Sequence, residues 1–176
     1  MATMILLPDA DGAINPNWVA VGATDKWDCL KDDNGSTSYV KCSTDAATMV
    51  IEFANPSVAE ANIDFNETVS VRFLSSGKSV HRTNPSLVDI AYEIPSITAE
   101  SCSYNASRAA YETINGTAQT TSDGSTDWTY LDLERLEMVC TKDSTIEVYL
   151  SYLALEVTYT ATAVTADNAT FFGANF

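Results

Sequence analysis

The chain has 176 residues, of which 24 are acidic and nine are basic, so its formal net charge is −15. A field of this sign repels phosphate groups, and we therefore expect no direct binding to nucleic acid or to an anionic membrane surface. No apolar run approaches the ~20 residues that cross a bilayer. Residues 1–12 lack the cationic region of a secretory signal peptide, so we expect the four cysteines to be reduced.

The first half of the chain predicts short strands separated by turns. Residues 4–7 form one apolar segment before a cluster of breakers, which indicates an edge strand or an arm. Residues 37–42 and 47–53 are strand-like, with Met49, Ile51 and Phe53 on one face. Turns and breakers separate all these segments, as in an antiparallel sandwich or barrel.

The middle of the chain continues the pattern. Residues 67–74 and 87–94 alternate between apolar and polar side chains, and residues 75–78 predict a turn after the first of them. Residues 101–121 predict loop and strand, because Gly116 and the threonines after it disfavour a long helix. Residues 122–125, Ser-Asp-Gly-Ser, predict a further turn.

The strongest strand signal lies between residues 127 and 160. A polar break at residues 141–144 between two apolar segments predicts an antiparallel hairpin, central in its sheet. Within its second strand the apolar side chains change from even to odd positions after Leu150. A strand can absorb such a slip only through an extra residue, which predicts a β-bulge near Ser151 and Tyr152.

These patterns predict an all-β protein, an antiparallel β-sandwich of the jelly-roll type with short terminal arms. The expected organisation is an N-terminal arm or edge strand over residues 1–16, a sandwich domain over residues 17–160 and a C-terminal docking tail over residues 161–176. The tail contains Phe171, Phe172 and Phe176, and a solvated tail would be polar. We therefore expect these rings to dock on their own domain or on another subunit.

Chemistry-bearing residues are sparse, so we expect no enzyme, no catalytic site and no cofactor. The single histidine, His81, lies in a polar loop beside Arg82. The carboxylate pairs Asp32/Asp33 and Glu134/Glu137 have the character of solvated surface, although a glycosidase on this fold stays an alternative.

Two kinds of binding site are alternatives to this expectation. A calcium loop is an alternative, since it needs only oxygen ligands, but the spacing of the candidates does not match a known calcium loop. Its candidate ligands are Asp25, Asp28, Asp32, Asp33 and Asn34. Aromatic side chains on a sheet face could also stack on sugar rings, although large aromatics usually pack in the core or an interface. That pool is Trp18, Trp27, Trp128, Tyr130 and Tyr149.

The chain resembles the β-sandwich or jelly-roll structural proteins of tailed bacteriophages that decorate capsids or form necks and tails. The resemblance spans most of residues 6–160 and consists of framework residues. They are Leu7, Pro8 and Asp9, then Trp18, Trp27, Asp32 and Asp33, Ser38 to Val40, Val69 to Phe73, Asp123 and Gly124, Asp127 to Thr129, and Leu155 to Tyr159.

The resemblance implies a structural role in a virus particle and supplies no active-site residues. We expect a capsid decoration or cement protein, assembled in the host cytoplasm, that binds the major capsid protein or other virion proteins as a homo-oligomer, with a trimer as the expected state. The expected docking residues are Met4, Ile5, Leu6 and Leu7 at one end of the chain, and Phe171, Phe172 and Phe176 at the other. A neck or tail protein of the same fold and a carbohydrate-binding module are the alternatives.

Overall fold

Two antiparallel sheets pack face to face and enclose the core. The computed structural model describes residues 1–14, 16–32, 37–79, 90–94, 100–102, 111–143 and 146–163. Sheet A contains, in spatial order, β3 (Val19–Val21), β4 (Tyr39–Cys42), β11 (Val148–Tyr159), β6 (Ser70–Ser79) and β9 (Glu112–Asn115), with β1 (Ala2–Leu6) also paired to β11. Sheet B contains β2 (Pro8–Ile14), β5 (Thr48–Phe53), β10 (Glu137–Lys142), β7 (Ile90–Glu93) and β8 (Glu100–Cys102). The predicted antiparallel β-sandwich is therefore confirmed.

In the described parts of the chain, two short α-helices and one 3-10 turn connect the strands. They are α1 (Lys26–Leu30), α2 (Tyr130–Leu133) and the 3-10 turn Glu60–Asn62. The first turn of α1 is capped from β2, because the Asp11 carboxylate accepts hydrogen bonds from the backbone N–H groups of Lys26 at 3.1 Å and Trp27 at 2.7 Å. Within the described ranges, no helix is long and apolar enough to cross a membrane.

The inward-facing side chains follow the predicted alternation. Met49, Ile51 and Phe53 of β5 are buried, and the intervening Glu52 is exposed. The Trp18 ring is also buried, and its Nε1–H donates to the Ala47 carbonyl oxygen at 3.1 Å. Since Trp18 precedes a strand of sheet A and Ala47 one of sheet B, this hydrogen bond ties the sheets together at one end.

The β-bulge in β11 is confirmed. The register between β11 and β6 shifts between Leu150 and Tyr152. Ser151 is the extra residue, and its hydroxyl donates to the Ser76 carbonyl oxygen at 3.4 Å. The extra residue lets the buried side chains lie at even positions before the bulge and at odd positions after it, so both halves of β11 face the core.

The predicted hairpin at residues 136–150 is wrong. β10 and β11 are each central in a sheet, but in different sheets, and the connection between them crosses from sheet B to sheet A. Alternation identifies a strand and its inner face, but it does not say which sheet the strand joins. Lys142, expected in the polar break, is the last inward-facing residue of β10 and is fully buried.

The predicted turn at residues 75–78 is also wrong, because β6 continues through Ser79. Ser75, Ser76 and Gly77 are buried between β11 and β9, and Ser79 is buried where β6 pairs with β11 alone. The Ser75 hydroxyl donates to a β9 carbonyl oxygen at 3.3 Å, whereas the buried Ser79 hydroxyl has no hydrogen-bond partner among the described residues. Small polar residues resemble a turn in sequence, because their side chains often pair with nearby backbone, but here they lie within a strand.

Candidate interaction faces

The N-terminal segment is part of the sandwich. β1 pairs with β11, and its inward side chains Met4 and Leu6 are buried in the core. The alternate side chains Ile5 and Leu7 are 43% and 38% exposed. Only Ile5 and Leu7 of the four expected N-terminal docking residues therefore lie at the surface. Phe171, Phe172 and Phe176 lie outside the described residues.

A row of side chains crosses the outer face of sheet A. Strand register places Val19 opposite Lys41, Lys41 opposite Tyr149, and Tyr149 opposite Lys78. We call these four residues the tyrosine–lysine row. They face outward because their strand neighbours, such as Val40 and Leu150, fill the core.

Aromatic rings contact the lysine and tyrosine side chains of the tyrosine–lysine row. The Lys78 ammonium lies 4.6 Å from the ring centroid of Tyr111 and 5.4 Å from that of Tyr149, within the range of a cation–π interaction. The rings of Tyr39 and Tyr149 lie 5.2 Å apart at 60°. The Tyr149 hydroxyl donates to the Glu147 carboxylate, and this hydrogen bond, with partial burial, raises the pKa of Tyr149 to about 12.

This composition suits contact with another macromolecule. Aromatic residues are enriched at protein interfaces, where a broad ring buries much area at little entropic cost. Val19, at the edge of sheet A, adds an apolar side chain that is 46% exposed. The row combines two cations and an aromatic ring on one sheet face, so it can bind a carboxylate-rich partner.

The outer face of sheet B has the opposite character. Glu52 of β5 lies directly opposite Glu137 of β10. Glu93 of β7 lies opposite Val139, which is the next outward-facing residue of β10 after Glu137. We call Glu52, Glu93 and Glu137 the carboxylate face. None of the three has an ion-pair partner within 4 Å among the described residues. Like charges directly opposite on paired strands are destabilising, so this face costs the isolated fold some stability.

Two clefts at one end of the sandwich share Arg135, Leu136 and Glu137. One has a volume of about 450 Å³ and is also lined by Asp123, Thr126, Trp128 and Asp132. The other, of about 370 Å³, is also lined by Asp9, Glu52 and Glu134.

Two local motifs shape the larger cleft. At the predicted turn, Asp123 accepts hydrogen bonds from the backbone N–H groups of Thr126 at 2.6 Å and Ser125 at 2.9 Å, and these bonds lower the pKa of Asp123 to about 2. Thr129 and Asp132 form a reciprocal capping box that starts α2. The cleft therefore has a rigid polar rim around a guanidinium group, which suits a ligand with several hydroxyl groups.

The structure separates the five aromatic residues proposed for sugar stacking. Trp18 and Trp128 are buried, and the Trp128 indole N–H donates to the Gln119 carbonyl oxygen at 2.9 Å, so neither ring offers a free face. Tyr130 and Trp27 are half-buried beside the core, and Tyr149 belongs to the tyrosine–lysine row. The five residues do not form one platform.

The calcium loop and the histidine are described only in part. Asp33, Asn34 and His81 lie outside the described residues. Asp28 instead forms an ion pair with Lys31 at 2.6 Å. In the part of the chain that the structure describes, no group of three or more His, Cys, Asp or Glu side chains could hold a metal ion.

Sequence reasoning missed both outer faces. The four residues of the tyrosine–lysine row come from four strands that are far apart in the chain. Their proximity depends on strand order and register, for which the sequence carries no local signal. Alternation did place Glu52 and Tyr149 on outward faces, which is the part of the signal that sequence could supply.

Comparison with known proteins identifies the fold only. No family model matches the chain, and no curated protein matches it significantly. The catalytic domain of Agl-KA is similar in structure, with a TM-score of 0.50 and 11% identity over 95% of this chain, and the match spans 30% of that structure's length. This likeness supports the sandwich fold alone.

Two carbohydrate-binding modules of family 35 also match. One, from Cellvibrio japonicus Abf62, has a TM-score of 0.42 and 10% identity, with 92% of this chain and 97% of the module covered. The other, from an environmental isolate, has a TM-score of 0.42 and 11% identity, with 90% and 98% covered.

Proposed function

We propose that the chain is a non-enzymatic structural protein of a virus particle, most closely comparable to the decoration proteins of tailed bacteriophages, and that it binds the major capsid protein as a homo-oligomer. The observation that carries the proposal is the broad outer face of sheet A. It presents the tyrosine–lysine row and, on β1, the exposed Ile5. A sheet face with aromatic and aliphatic side chains suits a protein partner, whereas small substrates are usually held in concave pockets.

The resemblance to virion proteins supports the same proposal. Trp18 joins the two sheets, and Trp128 closes the loop before α2 onto the core. These framework residues maintain the sandwich, while its outer faces are left for contacts.

The first test is the copy number of this chain in purified particles, measured by quantitative mass spectrometry against the major capsid protein. A high and simple ratio is expected for a decoration protein. A few to a few dozen copies would indicate the neck or tail instead. Absence from the particle would refute the virion role.

A second test addresses the docking residues. Particles lacking the protein are incubated with purified variants, and the bound protein is quantified. Ile5→Ser with Leu7→Ser should reduce occupancy, because both side chains are exposed and apolar. Leu131→Ser is the matched control, since Leu131 is also apolar and 51% exposed but lies on α2, outside the expected docking residues. Deletion of residues 169–176 should leave the domain folded and weaken attachment; unchanged occupancy would exclude the tail from docking.

Carbohydrate binding is a second candidate, and the cleft around Arg135 favours it. Arg135, Asp123 and Asp132 can exchange hydrogen bonds with sugar hydroxyl groups. A glycan array should then give saturable binding that Arg135→Ala removes and Lys41→Ala leaves unchanged. No hits on the array would exclude this candidate without affecting the virion proposal.

A further inference from the structure

We infer that the tyrosine–lysine row of one copy docks on the carboxylate face of a second copy, so that the chain self-associates head to tail. The inference specifies the interface of the homo-oligomer in the proposed function. Its test needs only purified protein, so its failure and the failure of the virion role are distinguishable.

The first argument is charge complementarity between the two outer faces. Lys41 and Lys78 flank Tyr149 on sheet A, in a chain with only nine basic residues. On sheet B, Glu52 and Glu137 lie directly opposite each other. The two lysines are two strand spacings apart, about 10 Å, and opposite carboxylates in a sheet are ~5 Å apart. Cationic groups are thus presented on one outer face and anionic groups on the other.

The second argument is the unrelieved repulsion on the carboxylate face. Glu52, Glu93 and Glu137 have no ion-pair partner within 4 Å among the described residues, although Arg135 lines the cleft beside Glu52 and Glu137. Cations from a second copy would turn this repulsion into attraction.

The third argument concerns the distance over which the net charges of two copies repel each other. Two copies with a charge of −15 each repel at long distance. At physiological ionic strength the Debye length is about 8 Å, so this repulsion is screened, while ion pairs in contact persist. Contacts between local faces can therefore form in spite of the net charge.

The geometry also sets the type of assembly. The two contacting surfaces are different and lie on opposite sides of the sandwich, so the interface is heterologous, and repeated contacts form an open filament unless the rotation closes them into a ring. Sheet B, five strands wide and about five residues long on average, limits the contact to roughly 400 Å² per copy, which is at the weak end of protein interfaces. We expect dissociation constants between micromolar and millimolar, strengthened where a particle holds several copies together.

The experiment compares two neutralising double variants of the full chain by sedimentation velocity. Lys41→Gln with Lys78→Gln removes the cations, and Glu52→Gln with Glu137→Gln removes the opposing carboxylates. Each variant alone should raise the dissociation constant roughly two- to thirtyfold, because two exposed charge pairs are lost. Circular dichroism checks that each variant is folded.

Mixing the two variants gives the decisive result. The lysine variant keeps its carboxylate face, and the glutamate variant keeps its tyrosine–lysine row. An equimolar mixture should therefore form 1:1 pairs through one native interface and stop there. Lys26→Gln with Lys31→Gln, which makes the same change in net charge at α1, is the matched control and should associate like the unaltered chain.

Several outcomes would overturn the inference. One is a chain that stays monomeric up to ~1 mM. Another is self-association that only one of the two double variants weakens, which would indicate a like-with-like contact. A third is a mixture of the variants that forms no pairs.

Discussion

Deletion of Ser151 tests whether the β-bulge sets the inner face of β11. Without the extra residue, the segment before the bulge or the segment after it must turn its buried side chains outward. After the bulge, four buried side chains would be exposed, namely Leu153, Leu155, Val157 and Tyr159. Before it, only Val148 and Leu150 would be exposed, so this is the cheaper rearrangement.

The cost follows from these two side chains. Each fully buried Val or Leu side chain contributes about 1.5–3 kcal/mol, so exposing both costs roughly 3–6 kcal/mol. The same shift moves Glu147 and Tyr149 inward, which adds the cost of burying a carboxylate. Since domains of this kind are stable by about 5–15 kcal/mol, the deletion should remove much of the free energy of unfolding.

The measurement is urea unfolding followed by tryptophan fluorescence, which reports on the buried Trp18 and Trp128. Ser151→Ala is the matched control. It keeps the bulge and removes the hydroxyl group that donates to the Ser76 carbonyl oxygen, at a cost of about 0.5–1.5 kcal/mol. If deletion and control unfold within ~1 kcal/mol of each other, the bulge does not set the register, and the reasoning is refuted.

Three further changes test single contacts. Asp11→Ala removes the carboxylate that caps α1 and should lower the free energy of unfolding by about 0.5–2 kcal/mol; an unchanged urea midpoint would contradict this cap. Gly116→Ala places a methyl group 2.4 Å from the Phe73 ring and should cost about 1–3 kcal/mol in the same assay, unless the ring can move aside. Glu147→Gln should lower the pKa of Tyr149 from about 12 toward 10, as measured by ultraviolet titration of tyrosine ionisation. Because the folded pKa lies above the unfolded value of about 10, the contribution of this tyrosine to stability is fully present below pH 10 and is lost as the pH rises toward 12; the Gln variant should show less of this alkaline loss.

Sequence periodicity predicted the local structure well where one face of a strand is buried. The alternation in β5 and the slip at Ser151 both follow from the requirement that apolar side chains face the core. The prediction failed where residue size and polarity did not distinguish a buried strand from a turn. Ser75, Ser76 and Gly77 appear turn-like because they are small, but they lie within a strand between β11 and β9, where the Ser75 hydroxyl donates to a β9 carbonyl oxygen.

The interaction faces could not be predicted because they depend on long-range register. Lys41, Tyr149 and Lys78 are spread over more than 100 positions of the chain and meet only because β11 pairs with β4 on one side and β6 on the other. The crossing of the chain from sheet B to sheet A between β10 and β11 could not be predicted either. It places Glu137 and Tyr149, both in the segment that seemed to be one hairpin, on opposite outer faces of the molecule.

The charge difference between the faces leads to a last prediction, in which stability and association change in opposite directions. Glu137→Gln removes the repulsion between Glu137 and Glu52, and it should raise the free energy of unfolding by a few tenths to ~1 kcal/mol in urea. The same change should weaken self-association, because it removes a carboxylate that the lysines of a second copy would contact. Glu67→Gln, at an exposed position before β6, is the control and should change neither quantity. A Glu137→Gln variant that is less stable would mean that Arg135 already offsets the repulsion, and the carboxylate face would then have no unmet charge to present.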